Sequence, residues 1–298
     1  KRRPVMVWMH GGGYSIGSGS WTVYDGTALA RRGDTVVVTL NHRLGILGYL
    51  HLKELAGPEF AASGNAGMLD LVAALQWVRD NIAAFGGDPG NVTLFGQSGG
   101  GAKVSCLMAM PSAKGLFHKA IVQSGSLMEV AQPATSHRLA GEVLKALGLG
   151  RGELDKLATL PAVELVKAGE TARRAMPRPA SGIGLIWQPT GNGPTIPTSP
   201  WASAPALSKD VPMIIGATLN EYSPSLGNAA LEDMGWDQAK AMATAAGQTE
   251  AAWAAARGTH DGAKPVEVLS RLVSGRFGQP AIVQAERKAA QGGGAAFL

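Results

Sequence analysis

Two serines of the sequence stand in the pattern G-x-S-x-G, Ser15 and Ser98. This pattern can present a serine oxygen as a nucleophile when it forms a sharp turn between a strand and a helix. Ser98 fits that context, because the apolar run 92–95 precedes it and a helical stretch follows it. Ser15 follows glycines and precedes more loop, which favours a simple loop serine. The alternative for Ser98 is that it only caps the helix that follows.

A second pattern, His10-Gly11-Gly12-Gly13, directly follows another apolar run. Acyl transfer builds negative charge on a carbonyl oxygen, and prepositioned backbone N–H groups stabilise that charge. Glycines suit this task because they let the backbone approach a substrate without a Cβ in the way. A flexible loop or a phosphate cradle are the alternatives, but the sequence has no G-x-G-x-x-G or P-loop pattern. The glycine loop and the Ser98 turn together indicate acyl transfer.

Both patterns need strands and helices to hold them in place. Apolar runs predict strands at 5–9, 35–40, 92–95, 120–123 and 211–215, the first two buried on both faces. Strands that alternate with helices indicate a mostly parallel sheet with helices on both faces. Residues 295–298 are also strand-like.

The best-defined helix covers 68–85, where apolar residues recur at steps of three and four. Asn65 is its predicted N-cap, and Gly86-Gly87 its predicted end. Residues 136–176 are predicted to be helical, 177–210 rich in loops, and the chain after Asp237 helical. Because no Gly/Ser linker interrupts it, we expect one domain over 1–298, in which 127–210 form an insertion that covers the site.

Composition narrows the classes of function. With 298 residues, 45% of them apolar, and a net charge of +5, the chain has the character of a folded domain. It has no basic stretch typical of nucleic-acid binding and no apolar run of membrane-spanning length. Its single cysteine, Cys106, excludes an intrachain disulfide and a cysteine-based metal cluster. We therefore expect no nucleic-acid partner, no membrane span, no metal and no organic cofactor.

Several longer segments resemble the type-B carboxylesterases, the cholinesterase-like branch of the α/β hydrolases, and look most like the bacterial para-nitrobenzyl-esterase type. The resemblance is dense over 1–126, thin over 127–210, and returns near 211–222 and 276–298. It implies an α/β-hydrolase fold with a mostly parallel central sheet, here incomplete at both termini. The segments that carry it are VMVWMHGGGY (5–14), NHRLG (41–45), GNAGMLD (64–70), ALQWVRDNI (74–82), FGGDP (85–89) and QSG (123–125).

By this resemblance Ser98 is the nucleophile of an acyl-enzyme mechanism. The backbone N–H groups of Gly12, Gly13 and Gly99 are the implied donors to the oxyanion. The implied substrate is a small-molecule carboxylic ester. Two other readings stay open: a binding module of the same fold without catalysis, and an amidase or acyltransferase that uses the same serine.

Serine hydrolases of this family pair the nucleophile with a base and an acid. The resemblance places the acid at Glu221, because GATLNE (216–221) resembles the family's turn that carries its glutamate. The position also fits general chemistry, since sheets of this kind place functional groups just beyond strand ends. An ordinary loop carboxylate is the alternative. Ser124 can support Glu221 through a hydrogen bond, although a packing role at its strand end fits equally well.

The sequence departs from the family pattern at three positions near the site. The family usually has Glu and Ala on either side of the nucleophile, where this chain has Gln97 and Gly99. Tyr222 stands where a glycine usually follows the acid. None of these changes removes a reacting group.

The general base is the group that the sequence does not supply. The only histidine after Glu221 is His260, which we expect in a surface loop; a role as the base is the alternative. Weaker claims to that role belong to the histidines before the acid, His42, His51, His118 and His137. The resemblance starts and stops abruptly at the two ends of the sequence. We therefore expect a fragment whose base histidine lies beyond Leu298 and which, alone, turns over little or no ester.

Three aromatic residues are candidates for the substrate pocket: Tyr14, Trp21 and Trp187. For each of them, simple core packing is the alternative.

Overall fold

A computed structural model describes residues 2–177, 187–260 and 262–298. Six strands form one sheet in the order β2-β1-β3-β4-β5-β6, and each neighbouring pair is parallel. The predicted mostly parallel sheet is therefore confirmed. The strands are β1 Arg3–Met9, β2 Val36–Thr39, β3 Gly87–Gln97, β4 Lys119–Gln123, β5 Met213–Gly216 and β6 Ala296–Phe297.

Helices connect the strands; some of them pack against the sheet, and others pack on further helices. The α-helices are α1 Thr27–Gly33, α2 Gly45–Tyr49, α3 Lys53–Ala56, α4 Ala66–Asn81, α5 Gly99–Leu107, α6 Pro133–Leu147, α7 Ala162–Ala175, α8 Pro224–Gly227, α9 Trp236–Ala245, α10 Glu250–Thr259 and α11 Pro265–Ala290. Short 3₁₀ helices cover Thr22–Tyr24, Pro58–Phe60, Ser63–Asn65, Ile82–Phe85, Pro111–Ala113, Arg151–Ala158, Ala206–Ser208 and Ala229–Asp233. None of the helices in the described ranges is both long and apolar enough to cross a membrane.

The burial predicted for the first two strands is wrong. In β1, Val5, Val7 and Met9 are fully buried, but the residues between them are half-buried. Trp8 lies on that second face and packs against Phe95 of β3. Among the described residues, β2 pairs with β1 alone, so it lies at the edge of the sheet, and its valines are half-buried. An apolar run does not reveal that a strand has only one neighbour.

The long predicted helix is present as α4 and the 3₁₀ turn after it, and Gly86 ends it at φ 79°. Its apolar positions from Met68 to Ile82 face the core as predicted, but Phe85, at the end of the predicted helix, is exposed. Asn65, however, makes no capping bond. Its side chain bonds both backbone groups of Thr190, with the Thr190 N–H at 2.8 Å and the Thr190 carbonyl at 2.9 Å.

β3 begins earlier than predicted, because Gly87 already pairs with Arg3 of β1. Residues 88–90 therefore belong to the strand, although Asp88, Pro89 and Gly90 are residue types typical of turns. The helical character predicted for 136–176 corresponds to α6, a 3₁₀ helix and α7, and the C-terminal helices are also present.

The predicted insertion packs against α5, the helix that follows Ser98. Trp201 is fully buried, and its indole N–H donates to the Ser105 carbonyl at 2.8 Å. Thr190 forms an isolated bridge with Ala131. Residues 178–186 of the predicted loop-rich segment lie outside the described residues, and the covering role of the insertion stays a prediction.

Candidate active site

The candidate residues follow four neighbouring strands at the same edge of the sheet. Met9 of β1 is in register with Gly96, Gln97 with Gln123 of β4, and Gln123 with Gly216 of β5. The glycine loop, Ser98, Ser124 and the segment 217–221 come directly after this row. Carboxyl ends of parallel strands are where sheets of this kind place ligands and reacting groups.

Ser98 lies at a sharp turn between β3 and α5. Its backbone has φ 55° and ψ −124°, a conformation that a residue with a side chain rarely adopts. The Ser98 N–H donates to the Gln123 carbonyl at 2.8 Å, and the Ser98 carbonyl accepts from Ala102 at 3.0 Å, so α5 starts at once. The side chain makes no capping bond, and the residue is half-buried. The hydroxyl is thus not engaged as a helix cap.

Glycines around Ser98 allow the backbones to meet. A Cβ on Gly96 would lie 2.5 Å from the Gly100 carbonyl carbon, and a Cβ on Gly125 would lie 2.2 Å from the backbone carbonyl oxygen of Ser98. Real Cβ atoms do not come so close to backbone atoms, so only glycine fits at these positions.

The glycine loop lies against the Ser98 turn. A Cβ on Gly11 would be 3.7 Å from the Ser98 Cβ, and one on Gly99 would be 2.5 Å from the Gly13 nitrogen. Gly12 and Gly13 have φ 89° and 61°, which favours glycine. Within the described residues, no acceptor bonds the N–H groups of Gly12, Gly13 or Gly99. These groups are free to donate to a ligand, and Gly99 also begins α5, whose dipole favours negative charge.

Gly99 explains one departure from the family pattern. A Cβ at this position would also lie 2.4 Å from the Gly13 carbonyl oxygen. The glycine loop therefore approaches the turn more closely than an alanine would allow.

Glu221 and Ser124 are brought together. One oxygen of Glu221, Oε1, accepts from the Ser124 hydroxyl and, at 2.9 Å, from the Thr218 N–H. Ser124 is 7% exposed and has φ 51°. The second oxygen of Glu221 bonds nothing within the described residues, so it can accept from a base.

No histidine in the described part of the chain is hydrogen-bonded to Ser98 or Glu221. His260 ends α10, and its Nδ1–H donates to the Ala256 carbonyl at 2.8 Å. His10 and His42 stack with ring centroids 4.9 Å apart. Burial lowers the pKa of His10, and it lowers the pKa of His42 to about 3, so both rings are neutral.

The three pocket candidates lie in different surroundings. Tyr14 is fully buried, with its hydroxyl beside the Cys106 sulfur, and Trp187 is 2% exposed. Both are core residues rather than walls of an open pocket. Trp21 is 47% exposed and stacks on Tyr24 in a cavity of about 510 Å³ whose lining does not include Ser98.

Lys103 of α5 was missed by the sequence reasoning. Its side chain is fully buried, and its amine donates to the His10 carbonyl at 2.9 Å. Burial lowers the pKa of Lys103 to about 7. The available signal was a single charged residue inside a helix of small and apolar residues. Among the described residues, no three His, Cys, Asp or Glu side chains are grouped to hold a metal ion.

The sequence is similar to those of known proteins. Residues 1–259 match the sequence profile of the Carboxylesterase family. The chain is 46% identical over 222 residues to the para-nitrobenzyl esterase of Bacillus subtilis (strain 168), which covers 74% of this chain and 44% of that protein. It is 56% identical over 123 residues to human carboxylesterase 3, covering 41% of this chain and 20% of that protein.

A solved structure is similar as well. Carboxylesterase EST55 of Geobacillus stearothermophilus superimposes with a TM-score of 0.81 at 35% identity, over 98% of this chain and 61% of that one. Of the two curated relatives named above, the matching part of this chain spans less than half the length.

Proposed function

Because the chain belongs to the carboxylesterase family, we propose that it hydrolyses small carboxylic esters through an acyl-enzyme on Ser98. The observation that carries this proposal is the Ser98 turn, where a half-buried serine adjoins a glycine loop with free N–H groups. Hydrolases of this fold use such an arrangement for acyl transfer.

The proposed reaction has two halves. The Ser98 Oγ attacks the ester carbonyl carbon while a base takes its proton. The oxyanion that forms is held by the N–H groups of Gly12, Gly13 and Gly99. The C–O bond then breaks, and the alcohol leaves with the proton. Water attacks the acyl-serine by the same route and releases the acid.

Glu221 would orient the base. Its Oε1 is already held by Ser124 and Thr218, which leaves the second oxygen to accept from an imidazole N–H. Since none of the six histidines bonds Ser98 or Glu221, we propose that the base is a histidine outside this sequence. The described residues of the insertion, 127–177 and 187–210, would help to cover the site.

Substitution of the two G-x-S-x-G serines tests this function. The protein is expressed from its whole gene, and hydrolysis of p-nitrophenyl acetate and butyrate is measured for wild type, Ser98→Ala and Ser15→Ala. We expect Ser98→Ala to lower kcat by about 10⁴-fold or more, as for loss of a serine nucleophile. Ser15→Ala is the matched control and should retain wild-type kcat.

Equal loss in both variants, or none in either, would contradict the proposal. A wild-type protein that binds esters but turns none over would be a binding module. Turnover of a matched p-nitroanilide at the rate of the ester would indicate an amidase, and faster product formation with an acceptor alcohol would indicate an acyltransferase.

A further inference from the structure

A buried lysine lies directly beneath the glycine loop. Lys103 is on α5, one turn beyond Gly100, and residues three apart share a helix face. A Cβ on Gly100 would be 1.9 Å from the Met9 oxygen and 3.1 Å from the His10 oxygen. This face of α5 is therefore pressed against the end of β1, which brings the Lys103 amine to the His10 carbonyl at 2.9 Å.

That carbonyl belongs to the first peptide of the loop. The His10 carbonyl and the Gly11 N–H share one rigid plane, so holding one fixes the direction of the other. Gly11, Gly12 and Gly13 have no side chains of their own, and glycine backbones are unusually free. The Gly11 carbonyl accepts from the His10 Nδ1–H at 2.8 Å, so the His10 ring and Lys103 both hold the start of the loop. Inside the loop, the carbonyl of Gly12 accepts only long bonds, of 3.3 Å from Ser15 and 3.2 Å from Ile16.

We propose that Lys103 is a positioning residue: its ammonium group holds the His10 carbonyl and so fixes the loop whose N–H groups receive the oxyanion. This inference rests on the esterase function proposed above. Lys103 does not touch the ester. It acts through the His10–Gly11 peptide, and a charged donor gives a stronger bond there than a neutral one.

Of the titratable groups described next, Lys103 is the group whose charge changes near neutral pH. His10 and His42 face it from the loops after β1 and β2, and burial keeps both neutral by lowering their pKa values. The Tyr14 ring centroid is 5.7 Å from the Lys103 amine. Burial raises the pKa of Tyr14 well above its usual value and that of Cys106, on α5 itself, to about 12.

The charged and titratable groups beyond the two histidines, Tyr49, Asp70 and Arg43, also keep one charge state near neutral pH. Burial raises the pKa of Tyr49 on α2. Arg43 donates to the Asp70 carboxylate of α4 at 2.7 Å. Burial alone would raise the pKa of Asp70, but the hydrogen bonds from Arg43 have the larger combined effect, so the pKa of Asp70 is lowered. The bond to Asp70 raises the pKa of Arg43. Lys103, with a pKa of about 7, therefore loses its charge as pH rises through neutrality while its neighbours do not change.

The test compares three variants of the protein expressed from its whole gene: Lys103→Met, Lys103→Gln and, as control, Lys288→Met. Lys288 is also buried and also donates to backbone carbonyls, those of Ser208 and Lys209, but it lies on α11. Ester hydrolysis is measured from pH 6 to 9 as kcat and KM, and folding is checked by thermal unfolding.

We expect Lys103→Met to lower kcat about tenfold at pH 6 with little change in KM, because the oxyanion exists only in the transition state. The ratio of wild-type to variant kcat should fall about threefold between pH 6 and 9, as the wild-type amine loses its charge. Catalytic groups that wild type and variant have in common titrate alike in both, so their effect on kcat cancels in this ratio. Lys103→Gln keeps a neutral donor and should lie between wild type and Lys103→Met. Lys288→Met should match wild type.

A ratio that does not change with pH, or a Lys103→Met rate equal to that of Lys288→Met, would overturn the inference. If Lys103→Met does not fold, the same pH trend read from Lys103→Gln decides. An inactive wild type would contradict the esterase function itself, so the two failures are distinguishable.

Discussion

Positive φ angles at residues with side chains are concentrated at the candidate site. In the described part of the chain they occur at Asp34, Ser98 and Ser124. Each such conformation costs about 1–3 kcal/mol, so the surrounding structure must hold it in place. Ser98 and Ser124 follow neighbouring strands, β3 and β4, and the Ser98 N–H is bonded to the residue before Ser124. Strain is thus present at the two serines that the proposed mechanism uses.

Ser124 is expected to set the position of Glu221. Ser124→Ala removes one of the two bonds to Glu221 Oε1. A hydrogen bond to a charged group contributes about 1.5–3 kcal/mol, so kcat/KM should fall about tenfold or more, with the pH dependence of kcat/KM shifted. The kinetics of p-nitrophenyl ester hydrolysis from pH 5 to 9 measure this.

Ser126 offers the matched control. Its hydroxyl is buried near the same strand end and has no hydrogen-bond partner in the described residues. Ser126→Ala should leave the rate unchanged. A loss shared equally by both variants would argue against a role for Ser124 through Glu221.

Residue types and local spacing were enough to single out Ser98 and the glycine loop, because each pattern is continuous in the sequence. Contacts between distant residues were not predictable in this way. Asn65 has the spacing of a helix cap, but its amide meets Thr190, which is 125 residues away. Lys103 meets the His10 carbonyl across 93 residues.

The packing of α5 on β1 determines how closely the Ser98 turn and the glycine loop can approach each other. A Cβ on Gly100 would meet the Met9 oxygen at 1.9 Å, so Gly100→Ala must push the helix from the strand. We expect a loss of at least 2 kcal/mol in the free energy of unfolding, in the range of overpacked core sites, where costs of about 1–3 kcal/mol or more are common. Urea unfolding measures it.

Gly141 is the control for this substitution, because it lies inside α6 and an added Cβ would meet nothing within 4 Å. Gly141→Ala should raise the free energy of unfolding by about 0.5–1 kcal/mol, since alanine loses less backbone entropy in a helix. Destabilisation by Gly141→Ala, or none by Gly100→Ala, would show that the packing of α5 is looser than described.

Strands and helices followed the apolar patterns, but the position of each strand in the sheet did not. The run at 35–40 has the composition of a buried strand, yet β2 is at the edge of the sheet. Strand order depends on contacts over the whole chain, and a periodicity within a few residues carries no information about it.

For the whole molecule, Lys103 couples stability to pH. Its pKa is about 7 in the folded chain and about 10.4 for an ordinary lysine. The unfolded chain therefore binds more protons between these values, so the contribution of Lys103 to stability is least favourable below pH 7 and improves as pH rises towards 10.

Lys103→Met removes this coupling. The difference in free energy of unfolding, wild type minus Lys103→Met, should stay level below pH 7 and increase above it by at most about 1.4 kcal/mol per pH unit. Urea unfolding at pH 6, 7, 8 and 9 measures the slope. A difference that is level over this whole range would mean that Lys103 keeps its charge in the folded protein.

Ser98 is proposed to carry the reactive hydroxyl of this protein, and covalent labelling identifies the serine that reacts. The protein expressed from its whole gene is treated with a fluorophosphonate probe, digested, and sequenced by mass spectrometry. We predict one phosphonylated serine, Ser98, and no adduct in the Ser98→Ala variant. An adduct on Ser15 or another serine, or an active wild-type enzyme without any adduct, would contradict a nucleophilic role for Ser98.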